Sequence, residues 1–370
     1  MGTGGSKCLA VTATACVLVG MVASSLLTER DERLRIRLGR FATEHARLAG
    51  AGLARTPLHG EPHAGDAFVF YVAAASQMAG AERAFAGWCN PGLDAASSEA
   101  AWTAVEPIVG TLRLGAMTAV GTRETGRGCH WLGLRRLLQF AQRRAAGRHE
   151  WPDAVRLWLD EQALVRDFGW LPDDSSFAAW TAPALRRLCA EAAGMLAVGL
   201  ARMDDSLALP DDPTSSLSWV TGDALQRAAA GGASLRDRLL SWPSGFDPGR
   251  HELLGIAELI GALPDLQPPA PSWPQRNRQW QRFVGRVGSV QGRFVAGWAE
   301  QQRLEERRRR LALARVRLLR LALAFTIGEP LPPLADPFAE GAFQSDCDGD
   351  VATFRSAASP QVLELRALRR

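Results

Sequence analysis

Residues 304–325, LEERRRRLALARVRLLRLALAF, place an apolar side chain at every seventh position: Leu304, Leu311, Leu318 and Phe325. Ala314 and Leu321 fill the second position of the same seam. A seven-residue apolar period keeps such side chains on one stripe of an α-helix, so the stretch predicts a long amphipathic helix with a buried seam. Arg307 to Arg310 lie within it, and Glu300, Glu305 and Glu306 sit one turn away, at spacings that pair on a helix. The basic run therefore predicts a solvated, partly paired helix face, with a grip on phosphate or lipid headgroups as the alternative.

The same texture extends back through the chain. Apolar residues dominate 66–88, 99–119, 129–146, 152–168, 175–203, 222–241, 250–262 and 274–325. Turn chemistry separates these stretches: Asn90-Pro91-Gly92, Leu171-Pro172-Asp173-Asp174, Pro210-Asp211-Asp212-Pro213, Trp242-Pro243-Ser244-Gly245, and the Pro-rich run 264–274. Strand-like alternation is almost absent before Glu329-Pro330, and Ala, Leu, Arg and Glu outnumber β-branched residues. Beyond it, Gly341-Ala342-Phe343-Gln344-Ser345 and Val351-Ala352-Thr353-Phe354-Arg355 flank Asp348-Gly349. Asp-Gly between two alternating runs predicts one β-hairpin, with strand confined to about residues 341–357.

At the other end, residues 8–27 read CLAVTATACVLVGMVASSLL, without a charge, between Lys7 and Glu29-Arg30-Asp31-Glu32-Arg33. Twenty residues at ~1.5 Å each span ~30 Å, the thickness of a bilayer's hydrocarbon core. They predict a transmembrane helix, and the alternative is a cleaved export signal ending near Val22-Ala23-Ser24 or Ala23-Ser24-Ser25. Counted literally, Arg30, Arg33, Arg35, Arg37 and Arg40 put the bulk of the chain in the cytoplasm. A short basic head before an apolar run is instead the export pattern. Gly2-Thr3-Gly4-Gly5-Ser6-Lys7 is no phosphate loop, because Ser6-Lys7-Cys8 enters the apolar run where a soluble helix should begin.

The expected fold is mainly α: an N-terminal transmembrane helix, an irregular antiparallel helical ectodomain and a small C-terminal β-hairpin. The expected division is a head at 1–7, an anchor at 8–27, helical regions at 28–204 and 205–274, a long amphipathic helix at 275–328, and a closing segment at 329–370. Of 370 residues, 47% are apolar and 22% charged, which excludes a disordered or collagen-like chain. Its 43 basic side chains are all arginine except Lys7, yet the net charge is only +4, so no nucleic-acid partner is expected.

Pro57-Leu58-His59-Gly60-Glu61-Pro62-His63-Ala64-Gly65-Asp66-Ala67-Phe68, with Tyr71 and Ala73 after it, resembles a segment of uncharacterised single-pass membrane proteins of myxobacteria and similar bacteria. Leu134 to Leu138 resemble a middle helix of that family, and Asp336 to Gly341 its closing D-P-F-x-x-G segment. The chain departs at Asp66, where the pattern favours Asn, and at Phe354-Arg355-Ser356-Ala357, where a Y-S-x-G run is common. The resemblance implies an exported, membrane-tethered helical domain and carries no catalytic residues with it.

Candidate chemistry is sparse. His59 and His63 lie four apart around Glu61, a spacing that shares a metal when it falls on a helix. Pro57 and Pro62 rule out a regular helix there, so a Pro-anchored loop is the competing reading, and no cofactor is expected. Gly288-Ser289-Val290-Gln291-Gly292 lacks nucleophile-elbow spacing. Cys89, Cys129, Cys189 and Cys347 lie outside the apolar run; Cys89 with Cys129 is one pairing for an oxidising compartment, and buried free thiols are the other reading. The twelve Trp have no common period and predict core packing, with Trp242, Trp273 and Trp280 as the expected exceptions beside Pro-rich breaks.

The leading expectation is a non-enzymatic tether or assembly protein of the bacterial inner membrane. It would meet the bilayer through residues 8–27 and envelope proteins through a periplasmic bulk. A membrane-tethered hydrolase with His59, Glu61 and His63 as its polar core is the second reading. A cytoplasm-facing regulator using Arg307 to Arg310 on anionic lipid is the third.

Overall fold

The computed structural model describes residues 57–88, 95–118, 131–208, 248–267, 272–287, 292–358 and 363–370, together with 30, 32–43, 221, 269 and 270. The protein is mainly helical, with a small antiparallel sheet at its C-terminus. The helices are α1 (Ala67–Trp88), α2 (Ala95–Ala116), α3 (Trp131–Gly147), α4 (Trp151–Asp167), α5 (Asp174–Phe177), α6 (Ala182–Arg187) and α7 (Ala190–Ala208). After them come α8 (Pro248–Ala262), α9 (Trp273–Val287) and α10 (Gly292–Ile327). The apolar run 8–27 and the expected helix at 222–241 lie outside the described residues. Among the described residues no helix is long and apolar enough to cross a membrane.

Two compact units emerge from the contacts. One comprises Gly50–Asp211, Pro269–Arg278 and Arg303–Arg370. In it α1 packs on α2, and α3 on α4 through the tight turn Arg148-His149-Glu150, where His149 has φ 63° and the Glu150 N–H donates to the Ala145 carbonyl at 2.9 Å. Gly115 on α2 lets the Tyr71 ring come within 2.5 Å of where a β-carbon would stand, so only glycine fits this crossing unchanged. α4 also packs on α7. Its buried face meets Leu185, Leu196 and Leu200 from α6 and α7, and Leu318, Leu321 and Phe325 from α10, in one apolar cluster.

The sheet closes that cluster. β1 (Gln344–Asp348), β2 (Val351–Ser356) and β3 (Leu363–Leu368) run antiparallel in the order β1-β2-β3. The predicted hairpin is there, turned at Asp348-Gly349 with Gly349 at φ 57°. The expectation that strand ends near residue 357 is corrected by β3. Ala352, Phe354 and Ala367 face the core, and β1 is exposed along its length.

The described residues of 275–327, expected as one helix, fall in α9 and α10, and residues 288–291 between them lie outside the described residues. The predicted seam holds only in part: Leu318, Phe325, Ala314 and Leu321 are buried, Leu311 is half-buried and Leu304 is 40% exposed. A straight helix drifts ~20° per heptad against a 3.5-residue period, so a seven-residue repeat without a supercoiled partner leaves its face.

The second unit comprises Met1–Ala49, Asp212–Pro268 and Gln279–Gln302. Its core gathers Leu38, Ile256, Leu259, Leu266, Trp280, Phe283 and Trp298, with Trp280 edge-on to Phe283 at 5.8 Å. Trp280 was an expected surface exception and is instead buried, because its position on α9 repeats at three residues with Phe283 on one apolar face.

Candidate functional site

The loop before α1 carries the three predicted ligands, and it separates them. Leu58 is buried in the main core, and Arg202 Nη1 donates to the Pro57 carbonyl at 2.7 Å, which seats the start of the loop. His59 is thereby buried, its Nε2 2.5 Å from Asp160 Oδ1. Gly60 and Gly65 take positive φ, and the chain turns outward between them. Glu61 and His63 are exposed; the His63 N–H donates to the Met117 carbonyl at 2.9 Å, and His63 bridges Thr118. His59, Glu61 and His63 therefore do not form one polar core. Among the described residues no group of three or more His, Cys, Asp or Glu is placed to hold a metal ion.

Asp160, the partner of His59, belongs to a polar run that the sequence reading passed over. Asp160, Glu161 and Gln162 are consecutive in the middle of α4, and all three are buried, as is Asp167. Burial pushes the Asp160 carboxyl up, opposed by the His59 hydrogen bond and by Arg113, whose Nε stands 3.4 Å away. Glu161 turns to α3, where Arg135 Nε donates to it at 2.9 Å and Gln139 Nε2 at 2.8 Å. The rest of the Arg135 fork takes both oxygens of Asp173, at 2.7 and 3.0 Å. Arg135 holds the Asp173 carboxyl well below the usual range, whereas burial raises that of Glu161. The Tyr71 hydroxyl donates to Asp167 at 2.8 Å; burial and that carboxylate both raise its pKa. A signal was present in α4: Asp160-Glu161-Gln162 stand between the apolar runs Leu157-Trp158-Leu159 and Ala163-Leu164-Val165, and polar residues buried there must find partners inside.

A recess lies elsewhere in the same unit. A cavity of about 590 Å³ opens between the start of α9, the middle of α10 and the D-P-F segment. Arg276 and Arg310 both donate to Glu306, Arg276 Nε at 2.9 Å and Arg310 Nε at 3.3 Å. Arg310 also donates to the carbonyls of Pro337 and Ala270, at 3.0 and 2.8 Å. Arg317 Nη1 holds the Ala335 carbonyl at 2.7 Å, and its Nε holds Asp204 at 2.9 Å, a carboxylate it shares with Arg320. Asp336 accepts from Phe338 N, Ser356 Oγ and Ala357 N at 2.7–2.9 Å, so it pins the segment to the end of β2.

The arginine run is therefore more than a solvated face. Arg308 is exposed, but Arg307, Arg309 and Arg310 are half-buried, and Arg310 is built into the cavity wall. Cys189 and Cys347 are free and exposed, and Cys89 and Cys129 lie outside the described residues. Trp158, Trp180 and Trp298 are buried as expected, whereas Trp170 is 54% exposed and stacks on Trp131 at 4.8 Å. No protein-family model, curated protein or solved structure matches the chain.

Proposed function

We propose that the protein is a single-pass, membrane-anchored tether or assembly partner of the bacterial cell envelope, with its bulk in the periplasm. The observation that carries the non-enzymatic side of this reading is that the buried ionisable groups around α4, among the described residues, close on one another. His59 is sealed onto Asp160, Glu161 and Asp173 onto Arg135, and Tyr71 onto Asp167. General acid–base or nucleophilic work needs a group within hydrogen-bond reach of a substrate, and these groups reach each other instead. The tethered-hydrolase reading loses its core in the same step, since His59 faces inward while Glu61 and His63 face solvent. Membrane attachment is supported by the apolar run 8–27, and the periplasmic location by the resemblance of Pro57 to Phe68 and Asp336 to Gly341 to exported single-pass proteins.

The test is fractionation of two chains, each with a reporter after Arg370 that is active on only one side of the membrane. The full chain is expected in the membrane fraction with a periplasmic reporter, and a chain lacking residues 1–28 in the soluble fraction. A full-length chain that keeps its amino terminus and stays soluble would overturn the anchor. A cytoplasmic reporter would overturn the orientation alone.

A further inference from the structure

In the smaller unit, one helix separates its arginines from its apolar residues around its circumference. Residues 30 and 32–43 are helical. Leu34, Leu38 and Phe41 recur at intervals of four and three, and all three pack into the core of that unit, with Leu38 fully buried. Arg30, Arg33, Arg37 and Arg40 recur at three, four and three, so they form a second stripe beside the docked one. Arg35 lies on the other flank, and all five arginines are exposed. Between the flanks, on the side turned away from the core, stands Ile36, which is 49% exposed. Glu32 is the one acid among the described residues of this helix, with Glu29 and Asp31 beside it in sequence, and from Arg33 to Thr43 there are four arginines and no acid. Arg33 is engaged elsewhere, but among the described residues Arg30, Arg35, Arg37 and Arg40 have no ion-pair partner.

Position along the chain says what this surface would meet. Arg30 follows Leu27, the end of the apolar run, by three residues, which reach ~10 Å at most. Arg40 lies ten residues further on, ~15 Å along a helix. The Debye length at physiological salt is ~8 Å, so Arg30 stands within about one such length of the headgroup layer of any bilayer that the run spans. The remaining arginines come within the same range when the helix lies along the surface. Arginine flanks with one exposed apolar side chain between them match such a surface: the isoleucine enters the interface, while the long arginine side chains cover apolar ground and keep their guanidinium groups among the phosphates. Guanidinium forks are also well suited to phosphate oxygens.

We propose that this helix is a membrane-surface contact: Arg30, Arg35, Arg37 and Arg40 hold the headgroup phosphates of anionic phospholipids, and Ile36 enters the interface between them. Leu34, Leu38 and Phe41 fasten the helix to the smaller unit, so that the unit is seated on the bilayer and does not hang from a free tether. The inference rests on the anchor at 8–27. It does not depend on which side of the membrane the bulk occupies, because anionic headgroups on either face would serve.

The test uses the full chain in a non-ionic detergent, with native mass spectrometry reading the binding of dioleoyl phosphatidylglycerol and dioleoyl phosphatidylcholine, each titrated alone. Phosphatidylglycerol is expected to bind about tenfold or more tightly, because each arginine near an anionic surface strengthens the attraction about fivefold. Raising ammonium acetate from about 0.05 M to about 0.5 M should remove most of that preference, since exposed charges are screened, and this measurement needs no variant. Replacing Arg30, Arg37 and Arg40 together by Gln should bring the two lipids to within about twofold of each other. Replacing Arg136, Arg186 and Arg187 together by Gln, an equal change of charge at exposed positions of the larger unit, should leave the preference as it was. A folded parent without the preference, a preference indifferent to salt, or equal loss in the two triple variants would each overturn the proposal. Failure of the anchor would show instead as a full chain in the soluble fraction, and failure of this inference alone as a membrane-bound chain that does not distinguish the two lipids.

Discussion

Glu161 shows how one residue can cost stability and still define a structure. It is 1% exposed, and among the described residues its side-chain donors are Arg135 and Gln139. Burial outweighs both and raises its pKa above the ordinary value of about 4.3. The native state then keeps the proton over a pH range in which the unfolded chain has already released it. Stability from this site is therefore greatest below the unfolded value and is lost as pH rises through the folded one. Glu161→Gln keeps an oxygen for Arg135 Nε and cannot ionise. The melting temperature of the variant relative to the parent should become more positive as pH rises from about 4 to about 7. Calorimetric melts at several pH values check it, and a difference that does not change with pH would mean that Glu161 ionises in the fold as freely as in water. What such a buried group supplies in return is register: the Arg135 fork ties α3, α4 and the N-terminal turn of α5 into one arrangement.

At the level of the elements, α10 divides into two regimes along its length. From Ala312 onward nearly every apolar side chain is buried, whereas Leu304, on the same heptad position, is 40% exposed. Leu318→Asp should therefore destabilise the protein by several kcal/mol, about what an unpaired carboxylate in a core costs. Leu304→Asp should stay within about 0.5 kcal/mol of the parent, as exposed positions do. Paired urea melts of the two variants check this; equal losses would put Leu304 in a core as well. Helix content was legible because periodicity and propensity agree, and the hairpin because Asp348-Gly349 admits the positive φ its turn requires. β3 was missed: Leu363-Glu364-Leu365-Arg366-Ala367-Leu368 alternates with period two, but no turn signal of the Asp-Gly kind introduces it. Little of the candidate site was legible. Which arginines of a basic run face inward depends on Glu306, Arg276 and Asp204, and the last two arrive from 30 or more residues away in the chain.

Across the larger unit, the two ends of its chain meet in a single core. Leu58 stands at its start and Ala367 near its end, and both belong to the cluster around Trp158 and Phe325. The last residues are also fastened from outside the sheet. The Arg370 N–H donates to the Thr326 carbonyl at 3.2 Å and its guanidinium to the Leu188 carbonyl, while Arg369 lies over the Phe325 ring at 4.9 Å. β3 thus covers Ala352 and Phe354 on one side and engages α6 and α10 on the other. Deleting residues 363–370 removes Ala367 and two partly buried leucines from that cluster and leaves β2 as an open edge. A fully buried leucine is worth about 1.5–3 kcal/mol, so partial burial of Leu363 and Leu365 with all of Ala367 amounts to about 2–4 kcal/mol before the lost ladder is counted. The truncated chain should unfold at a clearly lower urea concentration than the parent, followed by tryptophan fluorescence, because Trp158 and Trp180 report on the same core. A midpoint unchanged by the deletion would mean that the helices alone complete the core and that the sheet is an appendage to it.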